Sequence, residues 1–243
     1  MIANTTYSIH TLELGPMDNF IYVIEDHHSK QAAIVDPAWD VDEILKVATL
    51  RGLNVTDILL SHCHHDHING VEDVLLKHDA QVHLMRAEYE FWHPGFIKPN
   101  LLSGGDIIQL GKTAIQALHT PGHSQGSACF KIGNQLITGD TMFVFGCGHC
   151  RLAGSDPEVL FNTLDKLKKE MPSDTIILPG HNYAPAYPDS TIADQIQGNP
   201  FLHFDNAYDF TKYRTKIHDQ IRSDPYEPIG TDDMTEHCLL YKE

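Results

Sequence analysis

Short apolar runs, broken by turn residues, set the pattern of the first part of the chain. The runs at Tyr7–Leu14, Asn19–Glu25 and Ala32–Val35 have the length of strands and are separated by Gly-Pro and charged turns. The apolar residues of Asp40–Arg51 then recur at helical spacing, and Gly52 follows as a residue that ends helices. The chain is therefore predicted to open with three strands and a helix.

The same pattern continues through the rest of the main body. Buried strands are predicted at Asp57–Leu60, Gln81–Leu84 and Thr175–Leu178, and helices at Gly70–His78 and Pro157–Lys169. Two hairpins are predicted over residues 107–118 and 127–138, with turns at Gly111-Lys112 and Gly133-Asn134. A helical patch is expected near Ala207–Arg222, with Lys212, Arg214 and Lys216 on a solvated face, and binding of a substrate carboxylate by these three residues is the alternative.

Composition bounds the size of the fold. A chain of 243 residues, 42% hydrophobic and 21% charged, is long enough for one large α/β domain, or for one domain plus a short appendage. From about Ala184 the composition shifts toward Pro, Asp and Tyr. We therefore expect a catalytic domain over residues 1–183 and a partly helical extension over residues 184–243 that packs on it.

Charge and hydropathy argue against several classes of partner. The 17 Lys and Arg stand against 33 Asp and Glu, and a net charge of -16 repels phosphate backbones, so no nucleic-acid partner is expected. The longest apolar runs have strand length, which argues against a membrane span. The N-terminus lacks the basic and apolar segments of a secretory signal, so we expect a cytoplasmic protein.

One run of residues is unusually rich in metal-binding side chains. It follows the apolar Ile58-Leu59-Leu60 and reads Ser61-His62-Cys63-His64-His65-Asp66-His67. Imidazole and carboxylate are the main side chains that bind zinc or iron without sulfur. A strand would send alternate side chains to opposite faces, whereas a loop at a strand's end can fold them around one centre. This histidine run is therefore predicted to bind metal.

Three further predicted strands also end in a His or Asp just after a turn residue. The residues at these strand ends are His123 in Thr120-Pro121-Gly122-His123, Asp140 in Gly139-Asp140, and His181 in Pro179-Gly180-His181. Sites at the edge of a sheet require residues in such places. A lone His beside a Gly is usually a turn residue, but four strand ends with this feature predict a site.

The cysteines raise the alternative of a redox function. Five cysteines with irregular spacing do not suggest a disulfide framework. Cys147 and Cys150 form a Cys-x-x-Cys motif, which in redox proteins opens a helix after a strand. Here the motif lies in a Gly-rich segment. A redox role would also leave the His and Asp residues unexplained. A redox protein is therefore the third alternative, after the two enzyme classes described below.

At these positions the sequence resembles the metallo-β-lactamase superfamily. The matching residues are His62-x-His64-x-Asp66-His67, His123, Asp140 and His181, and Asp36 matches the aspartate of the first family motif. The resemblance runs from roughly residue 7 to residue 183, with every motif in order. It implies an α/β fold of four layers (αβ/βα), with two mixed sheets face to face, helices outside and metal ions at one edge.

The resemblance also implies the ligands of two divalent metal ions. They form two groups of three and one bridging residue, namely His62, His64 and His123; Asp66, His67 and His181; and Asp140. Two metal ions held in this way share a hydroxide that is nucleophilic near neutral pH. We expect zinc, with iron or manganese as alternatives, because His and Asp accept all three. Asp36 would hold the histidine run by hydrogen bonds.

Within the superfamily the sequence is similar to glyoxalase II, the hydroxyacylglutathione hydrolases. The similar segments are Gly139-Asp140-Thr141-Met142-Phe143, Gly146-Cys147-Gly148 and His181-Asn182-Tyr183. The similarity implies hydrolysis of a glutathione-type thioester, with Asp66 and Asp140 as catalytic residues and substrate contacts at Tyr183, Phe143, His149 and Arg151. His149 stands where the family has a basic residue after Cys-Gly, and Tyr183 is equally well a packing aromatic.

A second enzyme class stays open. Asn199-Pro200-Phe201-Leu202 and Asp209-Phe210 resemble the C-terminal tail of persulfide dioxygenases. Those enzymes share the fold but hold one Fe(II) through the positions matching His62, His123 and Asp140. Thr141, rather than a smaller residue, follows Asp140 and favours hydrolysis. The acyl group and the oligomeric state cannot be read from the sequence.

Overall fold

The computed structural model describes residues 6–93, 98–221 and 225–234. Within these ranges the strands are β1 Tyr7–Leu14, β2 Asn19–Asp26, β3 Gln31–Val35, β4 Asn54–Leu59, β5 Gln81–Met85, β6 Asn100–Leu102, β7 Ile107–Leu110, β8 Thr113–His119, β9 Ala128–Ile132, β10 Gln135–Gly139 and β11 Ile176–Pro179. The α-helices are α1 Val41–Arg51, α2 His65–Ile68, α3 Val71–Lys77, α4 Arg86–Trp92, α5 Pro157–Glu170, α6 Ile192–Gly198, α7 Ala207–Lys212 and α8 His218–Ile221. A 3₁₀ turn lies at Pro200–Leu202 and a π-helical turn at Tyr213–Ile217.

The strands form two mixed sheets. In the first sheet the order is β1-β2-β3-β4-β5-β6, in which β1, β2 and β3 pair antiparallel and the remaining neighbours pair parallel. In the second sheet the order is β11-β10-β9-β8-β7, with β7 and β8 antiparallel and β10 and β11 parallel. The predicted α/β class with two mixed sheets is confirmed.

By its internal contacts the chain divides into two compact units. The first unit runs to His119 and includes Phe130–Ile132, and the second contains Thr120–Cys129 and the chain from Gly133 onward. The boundary expected between residues 183 and 184 lies within the second unit, and a separate C-terminal extension stays a prediction.

The core of the first unit lies where the sheet meets helices α1 and α3. Ile34 of β3, Ile58 of β4 and Ile44 of α1 are fully buried in one apolar cluster. Helix α1 begins after Asp40, whose side chain accepts a hydrogen bond from a backbone N–H of the first turn, and it ends at Gly52 with a φ of 64°. The helix therefore begins and ends where the capping residues of the sequence predict.

Parallel pairing places the candidate residues at strand ends within each unit. In the first unit β3 pairs parallel with β4, so Asp36 and the histidine run leave the sheet at the same edge. In the second unit β10 pairs parallel with β11, which brings Asp140 and His181 to one edge, and the N–H of Gly180 donates to the carbonyl of Gly139 at 2.8 Å. The strand-end argument from the sequence holds inside each unit.

The structure differs from the sequence expectations in its short helices. The pattern does not indicate α2, α4 or α6, whereas the equally short α3 is predicted from its apolar face. Helices this short depend on tertiary contacts more than on their own sequence. The patch expected at Ala207–Arg222 is divided into α7, the π-helical turn and α8, and its last residue lies outside the described ranges. In the part of the chain that is described, no helix has the length and apolar character to cross a membrane.

Candidate metal centre

The histidine run folds into one group of side chains in the first unit, here called the first cluster (His62, His64, Asp66 and His67). His62 and His67 are buried, and their ring centroids lie 4.2 Å apart. Nε2 of His62 lies 3.0 Å from Nδ1 of His64, and Nε2 of His67 lies 3.3 Å from Oδ2 of Asp66. The four ligands predicted in the run are thus brought together, whereas His65 is exposed.

Asp36 holds the first cluster by hydrogen bonds. Its Oδ1 accepts from the N–H of Ser61 at 2.7 Å, and its Oδ2 accepts from the Ser61 hydroxyl at 2.6 Å and from Nδ1 of His67 at 3.1 Å. The Ser61 hydroxyl donates its only hydrogen to Asp36. In its contact of 2.9 Å with Nδ1 of His62, the hydroxyl oxygen therefore accepts. Nδ1 therefore donates in both His62 and His67, and Nε2 is the ring nitrogen that faces the other members of the cluster.

Two further residues support the first cluster, and neither stands out in the sequence. The Asn19 amide donates to Oδ2 of Asp66 at 3.0 Å and to its carbonyl at 3.1 Å, and Nε1 of Trp39 fixes Asn19 from the other side at 2.8 Å. Glu88 of α4 is fully buried and accepts from the N–H of Cys63 at 2.9 Å. Both act through contacts that join distant parts of the sequence, which residue spacing cannot reveal.

The second unit holds the second cluster (His123, Asp140 and His181). One oxygen of Asp140 faces each histidine, with Oδ2 at 3.5 Å from Nε2 of His123 and Oδ1 at 3.3 Å from Nε2 of His181. Nδ1 of His123 lies 2.8 Å from the carbonyl of His149, which can only accept, so Nδ1 donates and Nε2 is the nitrogen that faces Asp140. The three residues predicted from separate strand ends are together.

A glycine allows this packing behind the second cluster. The N–H of Gly148 donates to the carbonyl of Asp140 at 2.9 Å. A Cβ at Gly148 would lie 2.2 Å from that carbonyl oxygen and 2.5 Å from Nδ1 of His123, closer than real contacts allow. The Cys-Gly-His segment therefore contacts both ligands only because residue 148 has no side chain.

The donor sets of both clusters fit a divalent cation. In each cluster a histidine Nε2 faces a carboxylate oxygen, at 3.3 Å between His67 and Asp66 and at 3.5 Å between His123 and Asp140. Imidazole nitrogens and carboxylate oxygens are the ligands that zinc and iron accept in the absence of sulfur. An Nδ1–H bound to a carboxylate or carbonyl, with Nε2 left for the ion, is the usual arrangement of metal-binding histidines.

The residues predicted to contact substrate lie in the second unit. Tyr183 stacks on the ring of His181, with centroids 5.0 Å apart and planes 6° apart, and Phe143 meets both rings edge-on. His149 packs edge-on against His123, and burial lowers its pKa. Arg151 is largely exposed, and its guanidinium pairs with Asp219. These ring contacts hold Tyr183 beside His181, and substrate contact by Tyr183 and the other three residues stays a prediction.

The two thiols of the Cys-x-x-Cys motif have properties opposite to those of a redox pair. Burial raises the pKa of Cys150 to about 12 and raises that of Cys147 further still. Reactive thiols need a lowered pKa and usually lie at a helix N-terminus, whereas these lie in a loop. This chemistry speaks against the third alternative.

Comparison with known proteins settles the family. The model of the metallo-β-lactamase superfamily matches residues 14–181, a span that contains both clusters. The chain belongs to the metallo-β-lactamase superfamily. This confirms the resemblance drawn from the sequence motifs, and the α/β fold with two mixed sheets agrees with it.

Individual relatives within the superfamily are similar over different parts of the chain. The chain is 33% identical over 217 residues to the probable polyketide biosynthesis zinc-dependent hydrolase PksB of Bacillus subtilis (strain 168), covering 88% of this chain and 95% of that protein. It is 33% identical over 177 residues to the hydroxyacylglutathione hydrolase of Hahella chejuensis (strain KCTC 2396), covering 68% and 62%. The crystal structure of ETHE1 from Myxococcus xanthus superposes with a TM-score of 0.78 at 24% identity, covering 90% and 93%, which shows a shared fold.

These matches support the broader part of the functional expectation. The protein is a metal-dependent hydrolase of the metallo-β-lactamase superfamily, and it carries His and Asp groups suited to metal binding.

Proposed function

We propose that this metallo-β-lactamase superfamily member hydrolyses a glutathione-type thioester at a centre of two divalent metal ions. The observation that carries the proposal is the ligand chemistry, in which histidine ring nitrogens and carboxylate oxygens face one another inside each cluster. The family resemblance joins the two clusters into one set of ligands, with His62, His64 and His123 for one ion, Asp66, His67 and His181 for the other, and Asp140 as the bridge.

The chain's own residues orient the reactants. When bound, the ions supply Lewis acidity at the thioester carbonyl and lower the pKa of the attacking water. Asp66, held by Asn19, accepts a hydrogen bond from that water and orients it. Asp140 keeps one oxygen toward His123 and one toward His181. A thiolate leaves readily without protonation, so no separate general acid is needed.

Substrate recognition is assigned to the second unit. Phe143 and Tyr183 form an aromatic wall beside His181 that suits the apolar part of a thioester. Arg151 and His149 supply polar and charged groups suited to glutathione carboxylates. The similarity to a hydroxyacylglutathione hydrolase supports this substrate class. The net charge of -16 argues against a nucleic-acid partner. A cytoplasmic location stays a prediction.

The proposal is tested by thiol release from S-D-lactoylglutathione. Zinc-loaded protein is expected to release thiol, and Asp140→Ala is expected to reduce the rate by about a hundredfold or more, because the change removes a ligand. Asp205→Ala, a change of the same type at an exposed position, serves as the matched control and should keep the rate. Absence of thiol release from the metal-loaded wild-type protein would refute the proposal.

One observation favours a second candidate, an iron-dependent persulfide dioxygenase. The segment that resembles the dioxygenase tail packs on the loop after Asp140, where the Asn199 amide lies 3.4 Å from the carbonyl of Phe143 and 3.0 Å from that of Gly146. Such an enzyme would hold one Fe(II) through His62, His123 and Asp140. Oxygen consumption with glutathione persulfide by iron-loaded protein, without thioester hydrolysis, would select this candidate over the hydrolase.

A further inference from the structure

A buried arginine from the C-terminal part of the chain contacts the loop behind His123. Arg214 lies in the π-helical turn with its side chain only 3% exposed. Its Nη2 donates to Oδ1 of Asp219, its Nη1 donates to the carbonyl of Cys147 at 3.5 Å, and its guanidinium lies 5.2 Å from the ring centroid of Phe201. Burial of a charge costs free energy unless the charge is paired, so these contacts are what keep Arg214 inside.

The loop that Arg214 contacts reaches two of the proposed ligands. Within Cys147–Arg151, the His149 carbonyl accepts from Nδ1 of His123, and the Gly148 N–H donates to the carbonyl of Asp140. The orientation of the His123 ring therefore depends on where the His149 carbonyl is held.

Asp219 fastens this loop at both ends. Its Oδ1 accepts from Arg214, which holds the Cys147 end, and its Oδ2 accepts from Arg151, which is the last residue of the loop. Burial acts to raise the pKa of Asp219, but the charges of the two arginines hold it below its ordinary value. The carboxylate is therefore ionised at neutral pH and pairs with both guanidinium groups.

We propose that Arg214 is a positioning residue for metal binding, which acts through the Cys147–Arg151 loop to fix the ring of His123. The inference rests on the proposed function in one respect, that His123 is a metal ligand. Partners that orient a metal-binding histidine typically change metal affinity by about 10–100-fold when removed. Arg214 acts one contact behind such a partner, so the expected loss is about tenfold.

The rigid fork of the guanidinium makes the proposal specific to arginine. Arg214 donates to Asp219 from one nitrogen and to the Cys147 carbonyl from another, a geometry that a lysine ammonium cannot reproduce. Arg214→Lys keeps the charge but should lose most of the effect, as Arg214→Leu does. Lys216→Leu, on an exposed position of the same turn, is the matched control.

The test measures metal binding without substrate. Zinc affinity by competition with a chromophoric chelator and the absorption spectrum of the cobalt-substituted protein are compared for wild type, Arg214→Lys, Arg214→Leu and Lys216→Leu. We expect both Arg214 variants to bind one ion about tenfold more weakly and to change the cobalt spectrum, while Lys216→Leu matches wild type. Thermal unfolding of the metal-free proteins establishes that the variants are folded.

Other outcomes separate this inference from the proposed function. Folded Arg214 variants with wild-type zinc affinity and an unchanged cobalt spectrum would overturn the role of Arg214 alone. A wild-type protein that binds no metal would overturn the metal centre itself. If neither Arg214 variant folds, Asp219→Asn, which preserves shape but removes the charge pairing, decides the matter by the same two measurements.

Discussion

At the scale of single residues, the partners of each ring nitrogen separate the candidate ligands from other buried histidines. In His62, His67 and His123, Nδ1 is hydrogen-bonded to a group that is not a proposed metal ligand. Nε2 of each ring faces another of the proposed ligands. In His83, by contrast, Nε2 pairs with Asp57 at 2.7 Å and Nδ1 accepts from an amide. Both nitrogens of His83 are satisfied within the protein, so its role is structural.

The hydrogen bonds of Asp36 predict a loss of metal affinity when its charge is removed. Asp36→Asn keeps a residue that tolerates the observed φ of 50°, but it weakens the acceptor for His67 and Ser61. Zinc affinity measured by chelator competition should fall by about 10–100-fold. Asp57→Asn, at a partly buried carboxylate that is also paired with a histidine, should leave zinc affinity unchanged. Equal affinities for both variants and wild type would contradict the role given to Asp36.

The close packing at Gly148 makes a second prediction at this scale. Gly148→Ala places a methyl group against Nδ1 of His123 and the backbone carbonyl of Asp140, so the His123 ring and the Asp140 backbone cannot both keep their positions. Zinc affinity should fall by at least about tenfold. Gly230→Ala is the control, because its Cβ would meet nothing closer than 3.6 Å. A Gly148→Ala protein that binds zinc like wild type would show that the loop tolerates displacement.

The sequence predicts ligands better than it predicts the residues that hold them. His62, His123 and Asp140 are visible because their chemistry coincides with strand ends. Asn19 and Arg214 act through contacts that only the folded chain creates, and the expectation that Arg214 lies on a solvated helix face is wrong, since it is buried against Asp219 and Phe201. Arginine is mostly exposed in proteins, and only its partners in the fold explain the exception.

At the scale of elements, strands and long helices follow from the sequence, while one-turn helices do not. The strand predicted at Asp57–Leu60 starts earlier and runs Asn54–Leu59, because its backbone continues to pair with β3 through polar residues. Helix α2 lies inside the histidine run, where the sequence predicts only a loop. Four residues cannot form a stable helix on their own, so tertiary contacts decide.

The turn after β2 gives a prediction about pH. Asp26 is fully buried and accepts hydrogen bonds from Ser29 and, in the turn between β7 and β8, from Lys112 and Thr113. Burial acts to raise the pKa of Asp26, but these hydrogen bonds hold it well below its ordinary value. The charged carboxylate therefore stabilises the fold at neutral pH. This contribution declines as pH falls below about 4, where the unfolded chain binds the proton first.

Replacement of Asp26 tests this linkage. Asp26→Asn should lower the free energy of unfolding by about 2 kcal/mol at neutral pH, measured with urea. Between about pH 5 and pH 3 the stability of the variant should fall less than that of wild type, because the variant lacks the carboxyl whose pKa is lowered by folding. Asp205→Asn, at an exposed position, should follow the wild-type curve. Parallel pH curves for Asp26→Asn and wild type would contradict the assignment.

At the scale of the whole molecule, the order of the motifs along the sequence is enough to identify the family. His62, His123, Asp140 and His181 follow in the order and spacing of one superfamily, and the family match over residues 14–181 confirms it. From residue 184 onward the sequence offers only the resemblance of Asn199-Pro200-Phe201-Leu202 and Asp209-Phe210 to a dioxygenase tail. The contacts of Asn199 with the loop after Asp140, and of Arg214 with the loop behind His123, are seen only in the folded chain.

The proposed hydrolase depends on two bound metal ions per chain, so the metal content is measured. Protein purified without added metal, and then again after exposure to zinc, is analysed by elemental mass spectrometry and compared with Asp140→Ala. We expect about two divalent ions per chain in the wild-type protein and fewer in the variant. A single iron per chain, or a metal content that Asp140→Ala leaves unchanged, would contradict the two-metal centre.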